Sequence, residues 1–164
     1  LNPEQAAAYF MLGESIETSA GDPTRAGESK REVGTNPFMI GKESDEGNRL
    51  LSILRKNPDI ECYLLNTGSV GKGGKIPGEK ISIKISTALM KHIAKGDIRW
   101  AVDPDWHYLV PVEMPEIDIT RYNPINYFDK PDYQDRVSKL RAERLCWLNK
   151  YKGLKDEIID AIKY

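Results

Sequence analysis

Apolar and polar positions alternate along this chain in stretches of helical and of extended period, broken by one long polar gap. Asn2-Pro3-Glu4-Gln5 reads as a helix start: Asn2 can cap, Pro3 suits the first helical position and Gln5 is placed to complete a capping box. Ala6 with Phe10, and Ala7 with Met11, give the core stripe, and Gly13 is the stop. The rhythm then fails from 14 to 43, which holds four glycines and two prolines among polar residues. A gap of that length reads as a disordered surface loop or as an active-site lid.

Ser44-Asp45-Glu46 opens a second helix, with acids where the helix dipole favours them and Leu50, Leu51, Ile53 and Leu54 as its apolar face. It ends at Asn57-Pro58. Ile60 to Leu65 reads as a short buried strand, and a helix followed so closely by a strand suggests an α/β layer. Alternating Ile81, Ile83 and Ile85 predict a half-buried strand. Ser86 is then the cap of a third helix carrying Leu89, Met90 and Ile93, stopped by Gly96. Residues 98–119 contain Pro104, Pro111 and Pro115 and predict short irregular edge strands. Asp129-Lys130-Pro131-Asp132 starts a long amphipathic helix with Tyr133, Val137, Leu140, Leu145, Trp147 and Leu148. Lys152-Gly153 bends the chain, and 154–164 adds a final turn or short helix. No internal repeat or boundary interrupts 1–164, which predicts a single domain.

Composition narrows the classes. The chain has 164 residues, 40% hydrophobic and 30% charged, enough for a real core. Its net charge of −1 gives no global attraction to nucleic acid or an anionic membrane. No apolar run approaches the roughly 20 residues that span a bilayer. Cys62 and Cys146 sit in apolar patterns without metal-ligand spacing and read as reduced core thiols of a cytoplasmic protein. The chain begins at Leu1, with helix signals from residue 2 and no signal peptide. An excised piece of a longer protein is the expectation.

Candidate chemistry concentrates after the predicted strand, in "NTGSVGKGGKIPGEK" from Asn66 to Lys80. Glycine and lysine there suggest a phosphate cradle, but the spacing fails. Counting from Gly68, Gly74 stands where G-x-x-x-x-G-K-[ST] needs lysine, and a predicted strand follows where a helix should. The loop reads instead as a flexible connection with a solvated positive face. His92 and His107 lack ligand-spaced partners and read as structural. No Ser/His/Asp arrangement has local support. Asp103, Asp105, Glu113, Glu116 and Asp118 read as a solvated acidic face, and Trp100, Trp106 and Tyr108 as core or edge packing.

Five stretches, in order, resemble the C-terminal part of ATP-dependent phosphoenolpyruvate carboxykinases. "LNPEQAAAYFMLG" is similar to that family's "LTPxQxxxxFLxG" helix, and the polar gap stands where the family has its mobile lid. "CYLLNTG" resembles "YLVNTG", "GEKISIKISTALM" resembles "GKRISIKDTRAI", and "VPVEMPEIDITRYNP" resembles "IPTELPGVDxxxLDP". The match looks like a divergent branch: Ser69 replaces a tryptophan, Ile85 an aspartate, and the lid lacks the usual glycine-threonine-glutamate.

The resemblance implies an α/β fold, the C-terminal part of a carboxykinase-type mononucleotide-binding domain with a mixed sheet and flanking helices. It implies that Lys80, Ile81 and Ser86 bind the base and ribose side of ATP. It places a lid at 19–36, including Gly21, Asp22, Thr24 and Arg25, with Arg25, Lys30 and Arg31 able to meet anionic substrate. The phosphate loop, the ligands for Mg or Mn and the oxaloacetate-binding arginines are expected outside this chain, so no catalytic or metal residue is assigned within it. The implied partners are nucleotide and a small dicarboxylic acid, not nucleic acid or membrane. Two other classes stay open: a carboxykinase-like regulator that binds nucleotide without catalysis, and a stand-alone interaction module.

Overall fold

The capping box read at Asn2 is formed. Asn2 Oδ1 accepts from the Gln5 amide at 2.7 Å and Gln5 Oε1 accepts from the Asn2 amide at 3.1 Å. Together they satisfy donors that a helix start leaves open. They open α1 (Pro3–Leu12), which ends on Gly13 at φ +49°. In this computed structural model the described residues are 1–16, 24, 28–35 and 38–163.

The chain folds as two compact units: Leu1–Tyr63 with Arg141–Tyr164, and Leu64–Leu140. In the first, β1 (Glu14–Ile16) pairs antiparallel with β2 (Ser29–Arg31), and α2 (Glu43–Lys56) packs on α1. The sequence shows an apolar stripe on α1, but Ala6, Ala7, Ala8, Tyr9, Met11 and Leu12 are all buried, so the helix is enclosed on most sides. Gly47 lets α2 come close: a Cβ there would lie 2.6 Å from Met11 Sδ. Leu51 and Leu54 complete that contact, each worth about 1.5–3 kcal/mol of burial. The end of α4 (Lys130–Leu148) and α5 (Asp156–Asp160) supply Leu148, Ile158 and Ile159 to the same core.

The second unit contains β3 (Ser69–Val70) paired with β4 (Glu79–Lys80), α3 (Ile83–Lys95), and β5 (Arg99–Val102) paired with β6 (Leu109–Glu113). The first part of α4 belongs here and buries Tyr133 and Val137. The α/β class is as expected from the sequence. The sheet differs: the described strands form three separate antiparallel pairs, not one mixed sheet.

Two strand expectations are corrected. Ile60–Leu65 lies in no ladder, and Ile60 and Leu64 are 50% and 55% exposed. A strand exists by its neighbour, and no described strand runs alongside. Of the alternating isoleucines, Ile83 and Ile85 belong to the start of α3, and Ile81 immediately precedes its cap. Ser82, not Ser86, is that cap, accepting from the Ile85 amide at 3.4 Å. Ile81, Ile85, Leu89 and Ile93 are spaced by four and half-buried, whereas Ile83 is 86% exposed. A four-residue spacing contains the two-residue one, so the alternation matched both periods.

The proline-rich region is a hairpin with a register irregularity between Arg99 and Trp100, and Pro111 faces Trp100. Asp103 builds its turn by accepting from the amides of Asp105 and Trp106 at 2.9 and 2.8 Å. It is therefore a turn former within the acidic region, not a merely solvated acid. Cys62 and Cys146 are free, but neither is a core thiol: the first is half-buried and the second exposed.

Candidate functional site: the β4–α3 junction, the glycine loop and the stems of the polar gap

The residues expected at the nucleotide form one continuous corner. Lys80 closes β4 opposite Ser69, and Ser86 lies in the first turn of α3. The Lys80 side chain is exposed and has no ion pair among the described residues. Ser86 donates its hydroxyl back to the Ser82 carbonyl at 3.4 Å, leaving its lone pairs able to accept. Ile81 is half-buried, and its amide is committed to the Gly68 carbonyl at 2.9 Å. That amide is not available to a ligand; the apolar side chain is what Ile81 can offer.

The glycine loop between β3 and β4 is not a free connection. Gly71 lies against Tyr127, and a Cβ at 71 would fall 2.1 Å from its ring. The Lys75 amide donates to the Tyr127 carbonyl at 2.8 Å. Lys75 Nζ meets Asp129 at 2.7 Å, and Arg121 meets Glu79 at 3.0 Å. The expected solvated positive face is thus partly engaged, and the glycines answer to close packing instead of phosphate approach.

The stems of the polar gap are held differently. Gly13 at φ +49° permits a contact that no side chain would: a Cβ there would lie 1.7 Å from the Glu32 carbonyl oxygen. Glu14 then receives two bonds from Arg144, at 2.9 and 2.7 Å, and one from Arg31 at 2.7 Å. Arg144 is buried, donates to the Tyr9 hydroxyl at 3.1 Å and lies over that ring at 5.0 Å. Burial by itself pushes the Glu14 carboxyl up, but the bonds and charges of Arg144 and Arg31 outweigh it and hold it below its ordinary value of 4.5. Arg31 is therefore built into the stem. Gly21, Asp22 and Arg25 lie outside the described residues, while Thr24 is exposed in a turn.

Sequence reasoning missed Arg144 and Tyr127. Arg144 had a signal, since it follows Tyr133, Val137 and Leu140 at spacings of four, three and four, a charge set in the apolar stripe. Tyr127 had none, because its partners are glycines more than fifty residues away. Elsewhere, Tyr133 is pushed up to about 12 by burial and by Asp103 and Asp105. A shallow depression lined by Asp97, Arg99, Glu113, Met114 and Pro115 contains none of the expected site residues.

Among the described residues no three His, Cys, Asp or Glu side chains converge as metal ligands. No helix among them is long and apolar enough to cross a membrane.

These features define an α/β chain that presents anchored loops and a strand–helix corner. The sequence profile of the phosphoenolpyruvate carboxykinase family, in its ATP-dependent form, matches residues 1–120. The chain belongs to that family. It is 33% identical over 145 residues to a protein of Aeropyrum pernix named phosphoenolpyruvate carboxykinase (ATP), covering 87% of this chain and 27% of the relative. Proteins of the same name from Chelativorans and Brucella anthropi are 32% and 30% identical, covering 93% and 85% of this chain. They are themselves covered to 29% and 27%, so the chain spans less than a third of these curated relatives.

Proposed function

We propose that the chain serves as the C-terminal part of a longer ATP-dependent carboxykinase, where it supplies the base side of the nucleotide site and the lid. The observation that carries this is the Lys80–Ser86 corner: an exposed cation, an apolar side chain and a hydroxyl on one strand–helix junction, in a chain of this family. Lys80 adds positive charge beside the nucleotide without the forked donors of an arginine. Ile81 packs against the base, and Ser86 accepts or donates at the ribose.

In the whole protein, oxaloacetate loses carbon dioxide, and the oxygen of the resulting enolate takes the terminal phosphoryl group of ATP. Phosphoenolpyruvate and ADP are the products. The contribution of this chain is positional: it orients ATP, and the part of residues 19–36 that precedes β2 excludes water that would protonate the enolate to pyruvate. The stems anchored through Glu14, Arg31 and Arg144 support such a segment by fixing where it leaves and re-enters the fold. The phosphate and metal ligands belong to the remainder of the protein, and the two units are parts of one nucleotide domain in a cytoplasmic enzyme.

Lys80→Ala combined with Ser86→Ala in the full-length enzyme tests the reading. The KM for ATP is expected to rise on the order of tenfold, with the KM for oxaloacetate within about twofold. An unchanged KM for ATP would remove the base-site assignment.

A further inference from the structure

Tyr127 is buried, and the glycine loop wraps it from two sides. Gly71 lies on the ring, where a Cβ would fall 2.1 Å from Cδ1, and Gly74 lies on the carbonyl, where a Cβ would fall 2.3 Å from the oxygen. That carbonyl accepts from the Lys75 amide at 2.8 Å. The hydroxyl donates to the Arg121 carbonyl at 2.6 Å, and the Arg121 side chain reaches Glu79 on β4 at 3.0 Å.

From this loop the order passes directly to the corner. Val70 pairs with Glu79 and Ser69 with Lys80, and the Ile81 amide is bonded to Gly68. At the next residue, Ser82 caps α3. A shift of the loop is therefore a shift of Lys80 and Ile81, because the β3–β4 pair is two residues long and no other described strand pairs with it. We propose that Tyr127 is a positioning residue for nucleotide binding, acting through the glycine loop on Lys80, Ile81 and Ser86. The glycines at 71 and 74 exist to seat the loop on Tyr127. The proposal rests on the base-site reading given above.

Two glycines of the loop make the test. Gly71 and Gly73 both have φ +76°, so alanine strains the backbone similarly at each. At 71 the new Cβ meets the Tyr127 ring, whereas at 73 the nearest atom is Arg136 Nη2 at 3.9 Å. In the full-length enzyme, Gly71→Ala is expected to raise the KM for ATP on the order of tenfold and leave that for oxaloacetate within about twofold, since small misplacements cost this much. Gly73→Ala should have an effect on ATP smaller by at least about threefold. Equal effects of the two alanines on ATP, or a parallel rise in both KM values, would overturn the proposal.

Should the Gly71→Ala enzyme not fold, Tyr127→Leu removes the ring without adding a clash. A rise in the ATP KM that exceeds any rise for oxaloacetate supports the proposal; an unselective rise or none overturns it. Lys80→Ala separates the two levels. If it leaves the ATP KM unchanged, the base-site reading falls and takes this proposal with it. If it raises the ATP KM while Gly71→Ala does not, the role of Tyr127 falls and the base site stands.

Discussion

The polar gap after α1 and the glycine loop after β3 look alike in sequence, yet they are held by different physics. Both are glycine-containing connections closed by a short antiparallel pair. The first is gripped by charge, with a carboxylate bound by two guanidiniums, one of them buried. The second is gripped by shape, with backbone lying on a tyrosine where no side chain would fit. Charge in a buried place is sensitive to loss of a partner and to pH. Shape is sensitive to added volume and indifferent to pH.

The largest effect expected from that contrast is at Arg144. Arg144→Met retains length but leaves the partly buried Glu14 with Arg31 as its remaining cation, and a loss of about 3–5 kcal/mol in urea unfolding is expected. Gly71→Ala should cost less, about 1–3 kcal/mol of overpacking, by the same measurement. Near-parental stability of Gly71→Ala would mean that the loop is not seated on Tyr127.

Acidification comes next and separates the regions without mutation. The Glu14 carboxyl titrates below its ordinary 4.5 in the folded chain, so its contribution is present above that value and is lost as pH falls through the lowered one. Amide exchange, corrected for intrinsic rate, should therefore rise at Glu14–Ile16 and Ser29–Arg31 below pH 4.5, while 71–75 changes little. A uniform response would break the contrast. The smallest effect is expected at Lys75→Ala. Its bond to Asp129 is exposed on both sides, and removal should change stability by no more than about 0.5 kcal/mol.

Local order was readable from the residues where local chemistry sets it. The Asn2 capping box, the Gly13 and Gly96 stops, the end of α2 and the start of α4 depend on neighbours within one turn. What depends on distant partners was not readable. Ile60–Leu65 has a strand's composition but finds no ladder among the described residues. The isoleucines at 81–85 satisfy two periods, and the cap at Ser82 decides between them. Arg144 was hidden among surface charges of α4, although its position in the apolar stripe marked it. For the candidate site, the residue types at 80, 81 and 86 were legible by family resemblance. The commitment of the Ile81 amide to Gly68 was not, because it follows from a strand pair only two residues long.

The proposed function divides labour between base contacts in this chain and phosphate and metal ligands elsewhere in the protein. Its most direct test is ATP binding and oxaloacetate turnover by the 164-residue chain itself, with folding verified by circular dichroism. No turnover is expected, and weak binding that is the same for ATP and adenosine and unaffected by Mg. Turnover of oxaloacetate, or ATP binding that tightens with Mg, would contradict the proposed function.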